Sequence, residues 1–90
     1  MKIVVTIVGK DRVGIIAMVS SVLAENGVNI LNINQNIMDG FFNMVMIAEM
    51  SDESKIKLAD LQQTLKAKGE ALGLDIKAQH QAIFDVTHNV

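Results

Sequence analysis

The sequence predicts an α+β fold: a ferredoxin-like βαββαβ two-layer sandwich, an antiparallel four-stranded sheet with two helices on one face. Three observations carry this expectation. Four short segments have the β-branched or period-two character of strands, and two longer ones place apolar residues at helical spacing. Their order along the chain is β-α-β-β-α-β. Two βα units of this kind close by right-handed crossovers into one sheet whose first and third strands are central.

Residues 2–9, KIVVTIVG, are β-branched and bounded by a lysine and a glycine, which marks the first strand. GKDRVG then leads into IIAMVSSVLAENG, where Ile16, Val19, Ser20 and Leu23 recur at helical spacing and Asn26-Gly27 supplies the stop. In the next strand Leu31, Ile33 and Ile37 alternate with Asn32, Asn34 and Asn36, and the doublet Ile30-Leu31 predicts a bulge. Asp39-Gly40 is a hairpin turn signal, and Phe41 to Met50 form the returning strand. Ser51-Asp52-Glu53 is expected to open the second helix. Its buried stripe is Leu58, Leu61, Leu65 and Leu72, with Lys55, Lys57, Lys66, Lys68 and Glu70 outside. Leu74, Ile76 and Ala78 alternate with Asp75, Lys77 and Gln79 as the fourth strand. A single domain spans 1–90, with a core of 1–81 and a tail of 82–90 that carries Ile83, Phe84 and Val86 and suits a short helix.

Alternation also assigns faces. The helix-covered side should take Ile3, Val5, Ile7, Leu31, Ile33, Ile37, Phe42, Met44, Met46, Leu74, Ile76 and Ala78. The other side then carries Val4, Thr6, Val8, Val45 and Ile47 between polar edges, an apolar centre that a second subunit or the tail should cover. Half of the 90 residues are hydrophobic and 20% are charged. A domain this small buries only about 60–65% of its unfolded surface, so a homodimer or higher homo-oligomer is expected.

Composition narrows the function. The net charge is −2 with no basic stripe, and there is no Tyr or Trp, which argues against nucleic acid. Without cysteine there are no disulfides and no thiolate metal sites. His80 and His88 lack the further ligands a zinc site needs, so neither a metal nor a cofactor is expected. No apolar run approaches the ~20 residues of a membrane span, and the first is too short for a signal peptide, so the expected location is cytoplasmic with no membrane partner. No nucleophile sits beside a histidine except Thr87-His88 in the tail, which argues against an enzyme.

The candidate site is the loop Gly9-Lys10-Asp11-Arg12-Val13-Gly14, where Asp11 suits the N-cap and Gly14 leaves the first helical turn bare. Free amides and the positive end of the helix dipole favour an anion there, although plain capping explains the same residues. The run G-K-D-R-V-G-I-I and the later A-E-N-G-V-N-I resemble the ACT domain, the small regulatory module of amino-acid metabolism. Asp11, Arg12, Val13, Gly14 and Ile15 match the first motif, and Gly27, Val28, Asn29 and Ile30 the second. The chain is most similar to free-standing bacterial members and to the N-terminal ACT domains of formyltetrahydrofolate deformylase and the glycine-cleavage repressor.

The resemblance implies a non-catalytic module that binds an amino acid or similar metabolite between subunits. Asp11, Arg12, Val13 and Gly14 of one subunit would then meet Asn29 and Ile30 of its neighbour. Arg12 suits a carboxylate, and Asn29 or Asn32 an amino group. Serine-binding members often place a His or Asn in this loop, where Lys10 and Arg12 stand in this chain, which points away from serine. Many ACT domains bind no ligand, so the alternative is a module for self-assembly or for docking on a protein target. A remote alternative is an acylphosphatase-like hydrolase, of which Arg12 and Asn29 are a faint echo.

Overall fold

The computed structural model describes residues 1–51, 54 and 56–88, the last three of these by their backbone alone. Its elements are β1 (Lys2–Lys10), α1 (Ile15–Glu25), β2 (Asn29–Met38), β3 (Phe41–Glu49), α2 (Leu58–Ala71), β4 (Leu74–His80) and α3 (Gln81–His88). The sheet is antiparallel with strand order β2-β3-β1-β4, so β1 and β3 are central as the sequence predicts.

Each boundary has a local cause. Asp39 and Gly40, at φ 52° and 80°, form the two-residue turn between β2 and β3, and the left-handed twist at both positions is what an Asp-Gly pair tolerates. The amides of Gly27 and Val28 donate to the Ala24 and Leu23 carbonyls at the end of α1. The register of β2 on β3 shifts between Ile30 and Asn32, at the doublet that breaks the alternation.

One core lies between the sheet and the helices. Ile3, Val5 and Ile7 of β1 and Met44 and Met46 of β3 meet Ile15, Val19 and Leu23 of α1 and Leu61 and Leu65 of α2. Gly69 lets α2 approach β4 closely: a Cβ there would stand 2.8 Å from Ile76 Cγ1 and 3.0 Å from the Leu74 carbonyl oxygen. Gly69→Ala is therefore expected to destabilise by about 1 kcal/mol, because overpacking of roughly 1–3 kcal/mol outweighs the helix propensity gained. Urea denaturation followed by circular dichroism checks it, and a raised midpoint contradicts the close approach.

Five expectations need correction. Leu31, Ile33 and Ile37 are 48%, 41% and 54% exposed rather than buried. Ile33 and Ile37 do stand opposite Met46 and Phe42 on the helix side, but the helix layer reaches only the start of β2, at Ile30, and Leu31 falls in the bulge. Ile16 is exposed at 37%, and Ile15 takes its place in the core. The second helix begins at Leu58, not Ser51. The Ser51 carbonyl accepts from the Ser54 amide, while the Ser54 hydroxyl donates to the Gly27 carbonyl. Asp52 and Glu53, expected at that helix start, and Lys55, expected on the outer face of the helix, lie outside the described residues. Leu72 is half-buried just past the helix end. Asp11 is not the N-cap of α1, which is Gly14.

The two sides and two edges of the sheet are finished differently. On the side away from α1 and α2, α3 lies against β1 and β4, and Val4 is 3% exposed although it stands outside the main core. The rest of that side is open, with Val8 and Val45 at 47% and 41% and Thr6 and Ile47 half-buried. At the β4 edge the Gln62 amide donates to the Ala78 carbonyl at 2.7 Å, and Asp75 and Lys77 put charge on the strand. At the β2 edge every residue from Leu31 to Met38 is exposed and none is charged.

Candidate functional site

The loop after β1 is held at its base and open at its tip. The Asp11 amide donates to the Gly40 carbonyl at 2.8 Å, tying the loop to the β2–β3 hairpin. Arg12 reaches toward the Leu72 carbonyl at 3.5 Å, a long and exposed contact that leaves the guanidinium available. Val13 is 98% exposed. Gly14 has φ 93°, a conformation that L side chains rarely adopt, and nothing lies within 4 Å of where its Cβ would be. From Gly14 the helix starts without help: no side chain caps it, and its first turn carries no acidic residue. The first intrahelical bond runs from the Met18 amide to the Gly14 carbonyl. The amides before it face outward with the positive end of the helix dipole, an arrangement that suits a carboxylate or another anion.

The second group of predicted site residues is elsewhere. Asn29 opens β2 opposite Glu49, Ile30 is half-buried against the core, and Asn32 stands exposed opposite Ile47. Asn32, Asn34, Val45 and Ile47 line a shallow hollow of about 370 Å³ on the open side of the sheet. Lys10 is opposite Phe41, at the other end of β3 from Glu49. The length of β3 therefore separates the groups, roughly 26 Å at about 3.3 Å per residue. Asp11, Arg12, Val13 and Gly14 form one cluster, and Asn29, Ile30 and Asn32 another. A single copy does not bring them together. Arg12 and Asn29, which an acylphosphatase-like site needs side by side, stand at opposite ends of the sheet.

One further polar group is absent from the sequence reading. Glu49 is opposite both Asn29 and Lys2, and its Oε2 is buried without a hydrogen-bond partner among the described residues. It borders a hollow of about 530 Å³ with Met1, Ser51 and Lys57. The signal was a lone acid ending the apolar strand FFNMVMIAE. His80 accepts from the Ala82 amide through Nδ1 at 3.1 Å, where β4 passes into α3. Among the described residues no group of three His, Asp or Glu side chains could hold a metal. No helix is long and apolar enough to cross a membrane.

Comparison with known proteins agrees with the fold. The profile of the ACT domain matches residues 1–79. A UPF0237 protein of Clostridium perfringens is 47% identical over 90 residues, covering 100% of both chains. The structure of an ACT domain protein from Streptococcus pneumoniae superposes with a TM-score of 0.80 at 40% identity, covering 94% of each chain. Formyltetrahydrofolate deformylase from Pseudomonas putida matches with a TM-score of 0.78 over 89% of this chain and 29% of its own. At 16% identity it shares the fold.

Proposed function

From the premise that this chain belongs to the ACT-domain family, whose members are generally regulatory ligand-binding modules, we propose that it binds an amino acid or a similar small metabolite between two copies of itself and performs no catalysis of its own. The observation that carries this reading is the uncapped start of α1 at Gly14, which offers open amides and an empty approach to an anion. The carboxylate of an amino acid suits those amides, with Arg12 beside them. Its ammonium group needs acceptors, which Asn29 and Asn32 supply through their side-chain oxygens. These acceptors lie a strand length from Gly14 in one copy, so the reading requires a neighbour. A cytoplasmic location and action through a protein target complete the proposal.

The test is a thermal-shift and calorimetric titration of the full chain against the panel of amino acids. Binding at a hundredfold excess over Kd adds about 2.7 kcal/mol to the folded state, which for a domain this size moves the melting temperature by roughly ten degrees or more. A flat response across the panel rejects the ligand. The ligand-free assembly reading then stands, favoured by the exposed apolar side chains Val8 and Val45 on the open side of the sheet.

A further inference from the structure

Two residue pairs in this chain have the composition from which a polypeptide rearranges without an enzyme. Asp39 is the one aspartate followed by glycine, and Asn26 the one asparagine. In such a pair the glycine nitrogen can attack the side-chain carbonyl carbon of the residue before it, because no Cβ shields that nitrogen. A five-membered succinimide closes, and water leaves from aspartate or ammonia from asparagine. Water then opens the ring at either carbonyl. Opening at the side-chain carbon gives aspartate. Opening at the main-chain carbon gives isoaspartate, in which the chain passes through Cβ and Cγ and is one carbon longer.

The fold treats the two pairs in opposite ways. At the end of α1 the Asn26 side-chain amide donates to the Val22 carbonyl at 2.8 Å, and the Gly27 amide donates to the Ala24 carbonyl at 3.1 Å. Both partners of the attack are thus held in place, and Asn26 is half-buried. Asp39 and Gly40 stand exposed at the tip of the β2–β3 hairpin. Among the described residues Asp39 is the one non-glycine with positive φ, at 52°, a conformation disfavoured for an L residue, so leaving it releases strain. No hydrogen bond among the described residues restrains its carboxylate or the Gly40 amide.

We infer that Asp39-Gly40 is a site of spontaneous aspartate isomerisation, and that the product unfastens the loop after β1. The turn has only two residues between Met38 and Phe41, which stand opposite each other. An added main-chain carbon there displaces the Gly40 carbonyl, which accepts from the Asp11 amide at 2.8 Å. That bond ties the loop of Asp11, Arg12, Val13 and Gly14 to the hairpin. The modification itself is independent of any ligand; its effect on an amino acid at Gly14 rests on the proposed function.

The test is prolonged incubation of the unaltered chain below its melting temperature, followed by electron-based fragmentation, which tells isoaspartate from aspartate of the same mass. Isoaspartate is expected to accumulate at position 39 and not at 26 while the chain stays folded, and at both in urea. None at 39 in the folded chain, or a faster change at 26 than at 39, overturns the assignment. An intact Asn26 even in urea overturns the protection assigned to its hydrogen bonds. Asp39→Glu would have to close a six-membered ring and is expected to give no product; the same signal in this variant places the reaction elsewhere. Hydrogen exchange of the isomerised fraction is expected to show protection of the Asp11 amide lowered by roughly tenfold, about the worth of one hydrogen bond. Unchanged protection overturns the coupling to the loop. None of these measurements uses a ligand, so a flat amino-acid titration ends the ligand reading and leaves this one standing.

Discussion

Leu65→Ala is expected to lower stability by about 2–5 kcal/mol, the cost of the lost transfer free energy and of the cavity left behind. Leu65 is fully buried in α2, in one cluster with Leu61, Val5 and Met46. Nothing at that position is positioned to collapse into the space, because the helix is held close to β4 through Gly69 and Ile76. Domains of this length hold roughly 5–13 kcal/mol in total, so this one truncation removes a large fraction. The thermal midpoint should fall by roughly ten degrees or more at fixed protein concentration, followed by circular dichroism. A fall of less than about four degrees contradicts the core described.

Gly14→Leu is expected to weaken the binding of any amino acid that stabilises the chain by at least about tenfold, or roughly 1.4 kcal/mol. The argument needs a control, because φ 93° strains any L residue by about 1–2 kcal/mol whatever its size. Gly14→Ala carries the same strain. Neither side chain meets anything within the molecule at its Cβ, so both variants should lose similar stability. Only the leucine fills the approach to the free amides. Isothermal titration of the two proteins separates the effects, and equal affinity in both would remove Gly14 from the site.

Most of the fold was legible because each element carries its own local pattern. The β-branched run of β1, the leucines of α2 and the Asp-Gly turn need no tertiary information, and even the bulge shows as a broken alternation at Ile30-Leu31. What failed has a common cause. Alternation tells which side of a sheet Ile33 faces and says nothing about whether a helix lies above it. Ser51-Asp52-Glu53 has the composition of a helix start, but α2 begins only at Leu58, and Ser54 is held by the Ser51 carbonyl and by that of Gly27, far away in sequence. Asp11 and Gly14 are both reasonable caps by residue type, and the choice between them is a backbone angle. The loop of the candidate site was legible from its glycines and charges. The distance between Gly14 and Asn29 was not, since it depends on the register of β3 against both neighbours. Nor was the burial of the Glu49 Oε2, which arises from packing.

The bond from Gln62 to Ala78 has a consequence beyond its own strand. A subunit with two adhesive flanks polymerises into ribbons, whereas one with a single adhesive flank stops after one partner. By occupying a carbonyl of β4, a glutamine on the neighbouring helix takes one acceptor away from any strand that would add to that flank, and so disfavours ribbon growth there.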